Sequence, residues 1–466
     1  MLSHNAVPAE YVEHFFGACH GGDFVQFFDD CGARWKRGTP GWHVVEAERG
    51  EYNFSGWDEL MAAAEEYGVE VMPVLNYTAP WASTAPDDAD EDDRIYHPIR
   101  ENAVEDWQAF VRRITEQYPD LTHVEIWNEP NLEYFLRVDE ERRHAVYVDR
   151  ILRPAAEILH ERGIKVVAPA VTTEAWGWNV DENIERTNRW LSYADAWQHV
   201  DYLSVHYTKG DTEKLEMEGA ENLLPYLEWV HDEYVSAGKL DGVWNTEEGF
   251  TALSAGNSGF VALEPWERKP YPQWVPRYTV PYLHWAIDHG WDDRDDYKLF
   301  WYRMGDTPTY YGTLEPCNLL EKRNGETVLS DRGWALRTVR DLLTDADRVG
   351  TFHGDVAVGL GLFSDGEGFR TLDPYEFTSY AFTLDEDLLI TAWLDVPGIE
   401  FTKPERSQIQ ATVKGIDSMS VTDVSVIDYV AGDETTVNTG EAVDGQLRLE
   451  LPRSDDPVLY VLLSRG

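Results

Sequence analysis

The sequence predicts an α/β protein in which a TIM (β/α)8 barrel is followed by a C-terminal antiparallel β-sandwich domain. Between residues 14 and 304, short apolar runs alternate with longer helical stretches, which is typical of βα units. Eight such strands can be counted, the number that a closed barrel needs. Beyond about residue 349, strand-like runs follow one another with turns between them. We therefore assign residues 1–348 to the barrel and 349–466 to the sandwich.

The eight predicted barrel strands are short and rich in apolar residues, and the first of them has the weakest pattern. They are His14–Cys19, Ala33–Arg37, Val69–Leu75, Val124–Ile126, Lys165–Pro169, Asp201–His206, Gly242–Asn245 and Lys298–Tyr302. Trp334–Leu343 is interpreted as the last barrel helix, and the acidic stretch Pro86–Arg94 as a solvated loop. The sandwich strands are predicted at LLITAWL, SQIQATV, VSVIDYV, QLRLELP and VLYVLL.

The net charge of the chain restricts its partners. With 86 acidic and 39 basic side chains, the formal charge is −47, which repels phosphate backbones and anionic membranes. We expect neither nucleic acid nor membrane as a partner, whereas the oligomeric state stays open. Acidic residues are spread along the whole chain, and this composition resembles proteins of salt-loving archaea. Aromatics make up 13% of the residues, which suits a sugar-binding site but also an ordinary large core.

The cysteines and the N-terminus predict a cytoplasmic protein. Cys19, Cys31 and Cys317 are too few and too scattered for a disulfide framework or a metal motif. The first residues show no basic segment followed by an apolar core, so no signal peptide is expected. No run approaches the ~20 apolar residues of a membrane span.

The fourth predicted strand ends in HVEIWNEPNLEYF, residues 123–135, and this stretch carries the chemistry. Glu129 stands where the strand stops, between Trp127, Asn128 and Pro130. An apolar aromatic neighbour favours the neutral form of a carboxyl group, as a general acid requires. The alternative is that Glu129 merely caps the next helix.

This run resembles the WNEPN strand end of clan A glycoside hydrolases, which are retaining enzymes on a TIM barrel, and it looks most like family 39, the β-xylosidase and α-L-iduronidase family. The resemblance implies that Glu129 is the acid/base. The seventh strand is followed by TEEG, which resembles the nucleophile motif of the clan and implies Glu247 as the nucleophile. Glu248 is the alternative, because neighbouring side chains alternate in direction.

The resemblance also implies a set of substrate-binding residues at the other strand ends: Arg37, Tyr77, Trp81, Asn128, His206, Tyr207 and Trp301. Arg37 would pair with the nucleophile and Asn128 would bind the sugar 2-hydroxyl. Three alternatives stay open: Arg37 in an ordinary salt bridge, His206 as a structural histidine, and Trp301 in the core. His206 and Tyr207 are adjacent here, whereas the family often separates them by one residue. His20, after the first strand, could also face the sugar.

These residues predict a retaining glycoside hydrolase that works through a covalent glycosyl-enzyme, without metal or cofactor, on a glycoside or oligosaccharide. By analogy with the family, an exo-acting β-glycosidase of the xylosidase type is expected. The long loop at 250–276, rich in Pro and Trp, favours exo action because it would wall off one end of the cleft. An endo-acting glycanase, a transglycosidase and a carbohydrate-binding barrel without turnover are the alternatives. The sequence does not separate sugars, anomers or linkages.

Overall fold

The structure is a computed structural model whose described parts cover most of the barrel and much of the C-terminal domain. The described residues are 5–172, 180–206, 209–211, 223–253, 272, 274–306, 318–362, 370–394, 407–415, 421–437, 446–451 and 458–465. In these residues no helix is both long and apolar enough to cross a membrane. Cys19 and Cys31 are buried free thiols, and Cys317 lies outside the described residues.

The barrel elements alternate between strands and helices along the chain. The first are β1 (Val7–Pro8), α1 (Ala9–Phe15), β2 (Phe16–Cys19), β3 (Trp35–Arg37), α2 (Trp42–Val45), α3 (Ser55–Tyr67), β4 (Glu70–Met72), β5 (Val74–Leu75), α4 (Glu91–Arg94), α5 (Val104–Gln117), β6 (His123–Ile126), α6 (Glu140–Tyr147), α7 (Arg153–Glu161) and β7 (Lys165–Thr172). The next are α8 (Val180–Ser192), β8 (Tyr202–His206), β9 (Lys209–Asp211), α9 (Leu223–Val230), β10 (Gly242–Glu248), β11 (Phe250–Leu253), α10 (Trp274–Asp288), β12 (Tyr297–Trp301), β13 (Leu320–Arg323), β14 (Glu326–Leu329) and α11 (Asp331–Thr344).

Nine parallel strands form the barrel sheet in the order β4-β3-β2-β12-β10-β8-β7-β6-β5. Pro73 alone separates β4 from β5, and both belong to the third strand predicted from the sequence. A proline has no N–H to give to a ladder, which is why this strand is split. Counted as one, β4 and β5 close an eight-stranded barrel, and the predicted fold class is confirmed.

Large side chains fill the interior of the barrel, so it is a packed core and not a channel. Residues from strands all around the barrel meet there: Cys19, Trp35, Met72, Val167, Tyr202, Trp244 and Phe300. These side chains close the interior of the barrel, and the polar residues described below lie at the carboxyl ends of the strands.

Four strand predictions differ from the structure by two or more residues at one end. The second strand begins at Trp35 and the fifth continues to Thr172, and the first and seventh differ as well. The first strand begins at Phe16, because His14 and Phe15 end α1, whose buried residues Val12 and Phe15 are spaced as on one helical face. The seventh strand continues past Asn245 to Glu248, with an irregular register between these residues. That irregularity bears directly on which glutamate reaches the barrel mouth.

The C-terminal strands form an antiparallel sheet system with its own core, a β-sandwich. They are β15 (Arg348–Thr351), β16 (Val356–Leu362), β17 (Arg370–Leu384), β18 (Asp387–Leu394), β19 (Ser407–Lys414), β20 (Val421–Ile427), β21 (Glu434–Val437), β22 (Gln446–Leu451) and β23 (Val458–Arg465). Their order is β21-β20-β23-β18-β17-β16-β19-β22. β15 pairs with β17 and also with β1, where Val7 lies opposite Val349. His284 of α10 packs against Tyr380, with ring centroids 5.3 Å apart, and so joins the sandwich to the barrel.

Candidate active site

Four strands bring charged or polar side chains to the same end of the barrel. Arg37 ends β3, Glu129 follows β6, His206 ends β8 and Glu247 lies near the end of β10. Because the strands are parallel, their carboxyl ends share one face, where TIM-barrel active sites lie. Residues far apart in sequence therefore meet at one opening.

Glu129 and Glu247 approach each other across this opening. One carboxylate oxygen of each, together with a ring nitrogen of His206, lie within 4.8 Å of one another. The two carboxylates are 13% and 14% exposed, so a substrate can reach them although both are largely enclosed. A separation of about 5–5.5 Å is the spacing of retaining glycosidases, whereas inverting enzymes leave a wider gap for water.

Arg37 is the centre of the hydrogen-bond network. Its side chain is 5% exposed and its Nη1 donates to Glu247. Its Nε donates to Glu125 at 2.6 Å, and its Nη2 donates to the Asn128 side-chain oxygen at 2.9 Å. A buried guanidinium with two carboxylate partners stays charged and holds both of them in place. The predicted pairing of Arg37 with Glu247 is present.

The ring of His206 lies between Arg37 and Glu129. Nη2 of Arg37 is 3.1 Å from Nε2 of His206, and guanidinium groups only donate, so this nitrogen must accept. The proton of the neutral ring is then on Nδ1, which donates to Glu129 at 2.9 Å. Because His206 is completely buried, its ring is held in place, and its hydrogen bond fixes the direction of the Glu129 carboxylate.

Burial raises the pKa of Glu247 above the ordinary value of a glutamate. His206 and Arg37 lower this pKa, and the neighbouring carboxylates of Glu129 and Glu125 raise it. The contact with Arg37 favours the ionised form that a nucleophile needs, against the cost of enclosing the charge.

The backbone around Glu129 is held in an uncommon conformation. Trp127 and Glu129 have φ angles of +72° and +43°, a region that residues with a side chain rarely occupy. Such residues persist where the surrounding structure holds them, and they cluster at functional sites. Here the Trp127 indole donates to the carbonyl of Phe135 at 3.0 Å, and its backbone N–H donates to Leu75 at 2.9 Å.

The irregular register in β10 separates the directions of Glu247 and Glu248. Glu248 lies opposite Trp301 of β12 and is 1% exposed. Its oxygens accept from Asn245 at 2.6 Å and from the backbone N–H of Gly249 at 3.1 Å. Glu248 is thus a buried, hydrogen-bonded residue, while Glu247 contacts Arg37 at the opening.

Comparisons with known proteins support the fold. No family model and no curated protein matches the chain. A family 39 glycoside hydrolase from Bacteroides cellulosilyticus superposes with a TM-score of 0.61 at 16% identity, covering 98% of this chain and 82% of that one. A monomeric β-xylosidase from Caulobacter crescentus gives 0.56 at 14% identity, over 99% and 98%. A family 30 subfamily 8 xylanase from Clostridium acetobutylicum gives 0.56 at 12% identity, over 100% and 98%.

These solved structures have the family 39 and family 30 glycoside hydrolase fold, and the chain has the same fold over almost its whole length. The barrel with a C-terminal sandwich that the sequence predicts is therefore an architecture shared with solved glycoside hydrolases. At identities this low, the likeness is one of fold, and function has to be argued from the site.

The aromatic residues predicted for substrate binding differ in their placement. Tyr77 is partly exposed, its φ is +59°, and its ring lies 6.0 Å from that of Trp127. Burial raises the pKa of its hydroxyl, and the nearby charges of Glu247 and Glu129 raise it further. Tyr77, which follows β5 next to β6, thus lies at the same end of the barrel as the two carboxylates.

Trp81 packs against Trp42 of α2, with ring centroids 5.5 Å apart, and Trp301 is enclosed. Trp81 is partly exposed, and its indole donates to the carbonyl of Glu46 at 2.9 Å. Trp301 is 1% exposed and packs against Tyr278, with ring centroids 6.4 Å apart. The expectation that Trp301 offers an open face to a sugar disagrees with this burial, and its position is that of a core tryptophan. Tyr207 lies outside the described residues.

Glu125 is a site residue that sequence reasoning missed. It is completely buried in β6, and its carboxylate accepts from Arg37, from Ser204 at 2.5 Å and from Thr246 at 2.7 Å. In the sequence it resembled one polar residue of an alternating strand. One sequence signal could have identified Glu125. Strands of a parallel barrel are buried on both faces, so a charged residue inside such a strand needs buried partners.

Glu129, His206 and Glu247 also have the ligand types of a metal site. However, Arg37 already contacts Glu247, and the Nδ1 proton of His206 points to Glu129. A cation placed among them would be repelled by the guanidinium and would have to displace that proton. The arrangement suits acid–base chemistry better than metal binding.

Proposed function

We propose that this protein is a retaining glycoside hydrolase in which Glu247 is the nucleophile and Glu129 the acid/base. The observation that carries the proposal is a pair of carboxylates at the barrel mouth with one oxygen of each within 4.8 Å of the other. Glu247 contacts Arg37, and Glu129 contacts His206. An oxocarbenium-like transition state needs a carboxylate on one side of the anomeric carbon and a proton donor on the other.

In the first half-reaction, ionised Glu247 attacks the anomeric carbon and the glycosidic C–O bond breaks. Glu129 gives its proton to the departing oxygen, so the leaving group departs as a neutral alcohol. The product of this step is a glycosyl ester on Glu247, and Glu129 is left as a carboxylate. The Nδ1–H of His206 donates to that carboxylate and stabilises it.

In the second half-reaction, Glu129 removes a proton from a water molecule, which attacks the same anomeric carbon. The ester bond to Glu247 breaks, and the sugar leaves with its original anomeric configuration. Glu129 regains its proton, and Arg37 again stabilises the ionised nucleophile. The cycle needs no group beyond these side chains and water.

Asn128 is proposed to bind the 2-hydroxyl of the sugar in the nucleophile subsite. Its side-chain oxygen accepts from Arg37, so the amide nitrogen is the group that can donate to a hydroxyl. A contact of this kind strengthens as the sugar ring distorts toward the transition state.

A β-xyloside or a related neutral glycoside is the proposed substrate, with exo action from the non-reducing end. Two of the solved structures named above are a β-xylosidase and a xylanase, and this supports xylosides as the first compounds to test. Endo action and transglycosylation use the same intermediate and remain alternatives. A binding protein without turnover would not need a complete acid–base pair.

The decisive experiment measures hydrolysis of nitrophenyl glycosides in molar potassium chloride, with NMR to follow the anomer released first. We expect activity on at least one β-glycoside with retention. Glu247→Gln should abolish it, because the amide cannot form the ester. Glu129→Gln should slow substrates with poor leaving groups far more than dinitrophenyl glycosides, which depart without a proton.

Two matched variants serve as controls. Glu133→Gln removes an exposed carboxylate from the same loop as Glu129 and should leave the rates unchanged. Azide added to Glu247→Ala should produce a glycosyl azide of inverted configuration, since the small anion replaces the missing nucleophile. If Glu248→Ala is rescued by azide and Glu247→Ala is not, the assignment of the nucleophile is wrong.

A further inference from the structure

A continuous group of aromatic rings leads from the carboxylates to the protein surface. We name Tyr77, Tyr96, Tyr134 and Phe135 the aromatic file. The ring centroids of Tyr77 and Tyr96 are 5.2 Å apart, and those of Tyr96 and Tyr134 are 5.5 Å apart. Phe135 packs against Tyr96 and Tyr134, with its ring centroid 6.3 Å and 5.0 Å from theirs. With 56% of its surface exposed, Tyr134 is the most exposed large apolar side chain of the described residues.

The aromatic file lies on the same side of the opening as Glu129, the proposed acid. Tyr77 follows β5 and Tyr134 follows β6, the strand that carries Glu129, and these two strands are neighbours in the barrel. Glu247 lies on β10, whose neighbours are β8 and β12. In a double displacement the leaving group departs on the side of the acid, so the aromatic file begins where a leaving group would extend.

Hydrogen bonds between two loops hold the outer rings together. The backbone N–H of Arg137 donates to the carbonyl of Tyr96 at 2.9 Å, and its guanidinium pairs with Asp93. The loop before Tyr96 is joined to the strand end, because Thr78 donates through its backbone to Ile95 at 2.9 Å. The rings of Tyr96 and Tyr134 are thus held in place before any ligand arrives, which reduces the entropy lost on binding.

We propose that Tyr96 and Tyr134 form a binding platform for the leaving-group part of a neutral oligosaccharide. The inference rests on the proposed glycosidase function and deepens it, since it makes an oligosaccharide, and not a small aglycone, the preferred substrate. The apolar C–H faces of sugar rings stack on aromatic planes, and Tyr134, with 56% of its surface exposed, presents such a plane to solvent beside Tyr96. The aromatic file contains no charged side chain, so we expect its ligand to be neutral.

The competing explanation is that the rings only stabilise the two loops. Aromatic pairs of this kind contribute to folding whether or not a ligand is present. The two explanations differ in one measurable quantity, which is the ratio of kcat/KM for long and for short substrates. A structural role changes stability and affects all substrates alike, whereas a binding platform changes the ratio.

The test compares xylobiose with xylopentaose, and equivalent gluco- and manno-oligosaccharides, in molar potassium chloride. We expect the wild-type protein to prefer the longer member of the series that it cleaves. Tyr134→Ala should reduce the long-to-short ratio of kcat/KM by about tenfold, the size of one aromatic contact. Tyr134→Trp should preserve the ratio, because a stacking surface remains. Tyr67→Ala is the control, because it removes another exposed tyrosine, at the end of α3, which leads into the opposite end of the barrel. It should leave the long-to-short ratio of kcat/KM unchanged.

A ratio that is the same in wild type and Tyr134→Ala would overturn the proposal, even if the variant is less stable. Calorimetric titration of the Glu247→Gln variant with the same oligosaccharides supplies a readout that needs no turnover. We expect affinity to increase with chain length, and this increase to be lost when Tyr134→Ala is added. A wild-type protein that hydrolyses no glycoside would contradict the proposed function alone, whereas length-independent binding would contradict the platform alone.

Discussion

Replacing Glu125 by glutamine tests how the active site holds its charges. Glu125 is completely buried and has no direct place in the reaction, yet Arg37 divides its donors between Glu125 and Glu247. Glutamine keeps the shape of the side chain and removes one negative charge. The variant should therefore change both the stability of the barrel and the protonation of Glu247.

The expected loss of stability follows from the contacts. Glu125 accepts three hydrogen bonds, from Arg37 at 2.6 Å, Ser204 at 2.5 Å and Thr246 at 2.7 Å. A hydrogen bond to a charged group contributes about 1.5–3 kcal/mol, so Glu125→Gln should cost about that much. Glu125→Ala removes one partner of a buried ion pair completely and should cost about 3–5 kcal/mol. Urea unfolding in constant molar salt measures both values.

The effect on activity has a defined sign. The negative charge of Glu125 raises the pKa of Glu247, so its removal lowers that pKa. Because the nucleophile acts in its ionised form, the acidic limb of the kcat/KM profile should move to lower pH in Glu125→Gln. We also expect Arg37, with one carboxylate partner fewer, to interact more strongly with Glu247, and this acts in the same direction.

Two outcomes would refute this reasoning. One is a Glu125→Gln variant whose free energy of unfolding stays within about 0.5 kcal/mol of wild type, which is the size of an ordinary surface change. The other is an acidic limb that moves to higher pH. Glu133→Gln, which removes an exposed carboxylate nearby, is the control for a general effect of charge.

Three further predictions concern pH, His206 and salt. Burial raises the pKa of Glu247, so the wild-type kcat/KM should begin to fall, as the pH is lowered, at a pH above the usual pKa range of a glutamate. A kcat/KM profile that stays flat down to that range would contradict this. His206→Phe removes the hydrogen-bond donor to Glu129 and should lower kcat/KM about ten- to hundredfold, mostly for substrates with poor leaving groups. The control is His353→Phe, at a half-exposed site in the sandwich, which should leave kcat/KM unchanged. The melting temperature should rise from dilute buffer to molar potassium chloride. The Debye length falls from about 30 Å to about 3 Å, so the salt screens the repulsion among the charges that sum to −47. An unchanged melting temperature would show that this charge is not a source of instability.

Much of the architecture could be predicted because its signals are local. The alternation of apolar runs and helical stretches depends on neighbouring residues, and it produced eight strands near the observed positions. The ends of elements were less accurate, as at Phe16 and at Glu248, where helix packing and a register irregularity decide the boundary. The pairing of Val7 with Val349 had no sequence signal, because it joins two distant short segments.

The candidate site was predicted unevenly for the same physical reason. Glu129 and Glu247 stand in short runs with a recognisable order of residue types, and each lies at a strand end. Glu125 has no such run around it, and its importance comes from Arg37, Ser204 and Thr246, which lie on other strands. The burial of Trp301 likewise depends on side chains that pack against it from elsewhere.

The sequence alone thus determined the type of fold and the acidic character of the molecule, and it singled out the two candidate glutamates, since each depends on composition or on a few adjacent residues. Only the tertiary structure decided which way each side chain faces: Glu247 toward the opening and Glu248 into the protein, His206 with its proton toward Glu129, and Tyr134 outward beside Tyr96. Direction and distance arise when strands remote in the chain close around one axis, and a linear pattern does not contain that information.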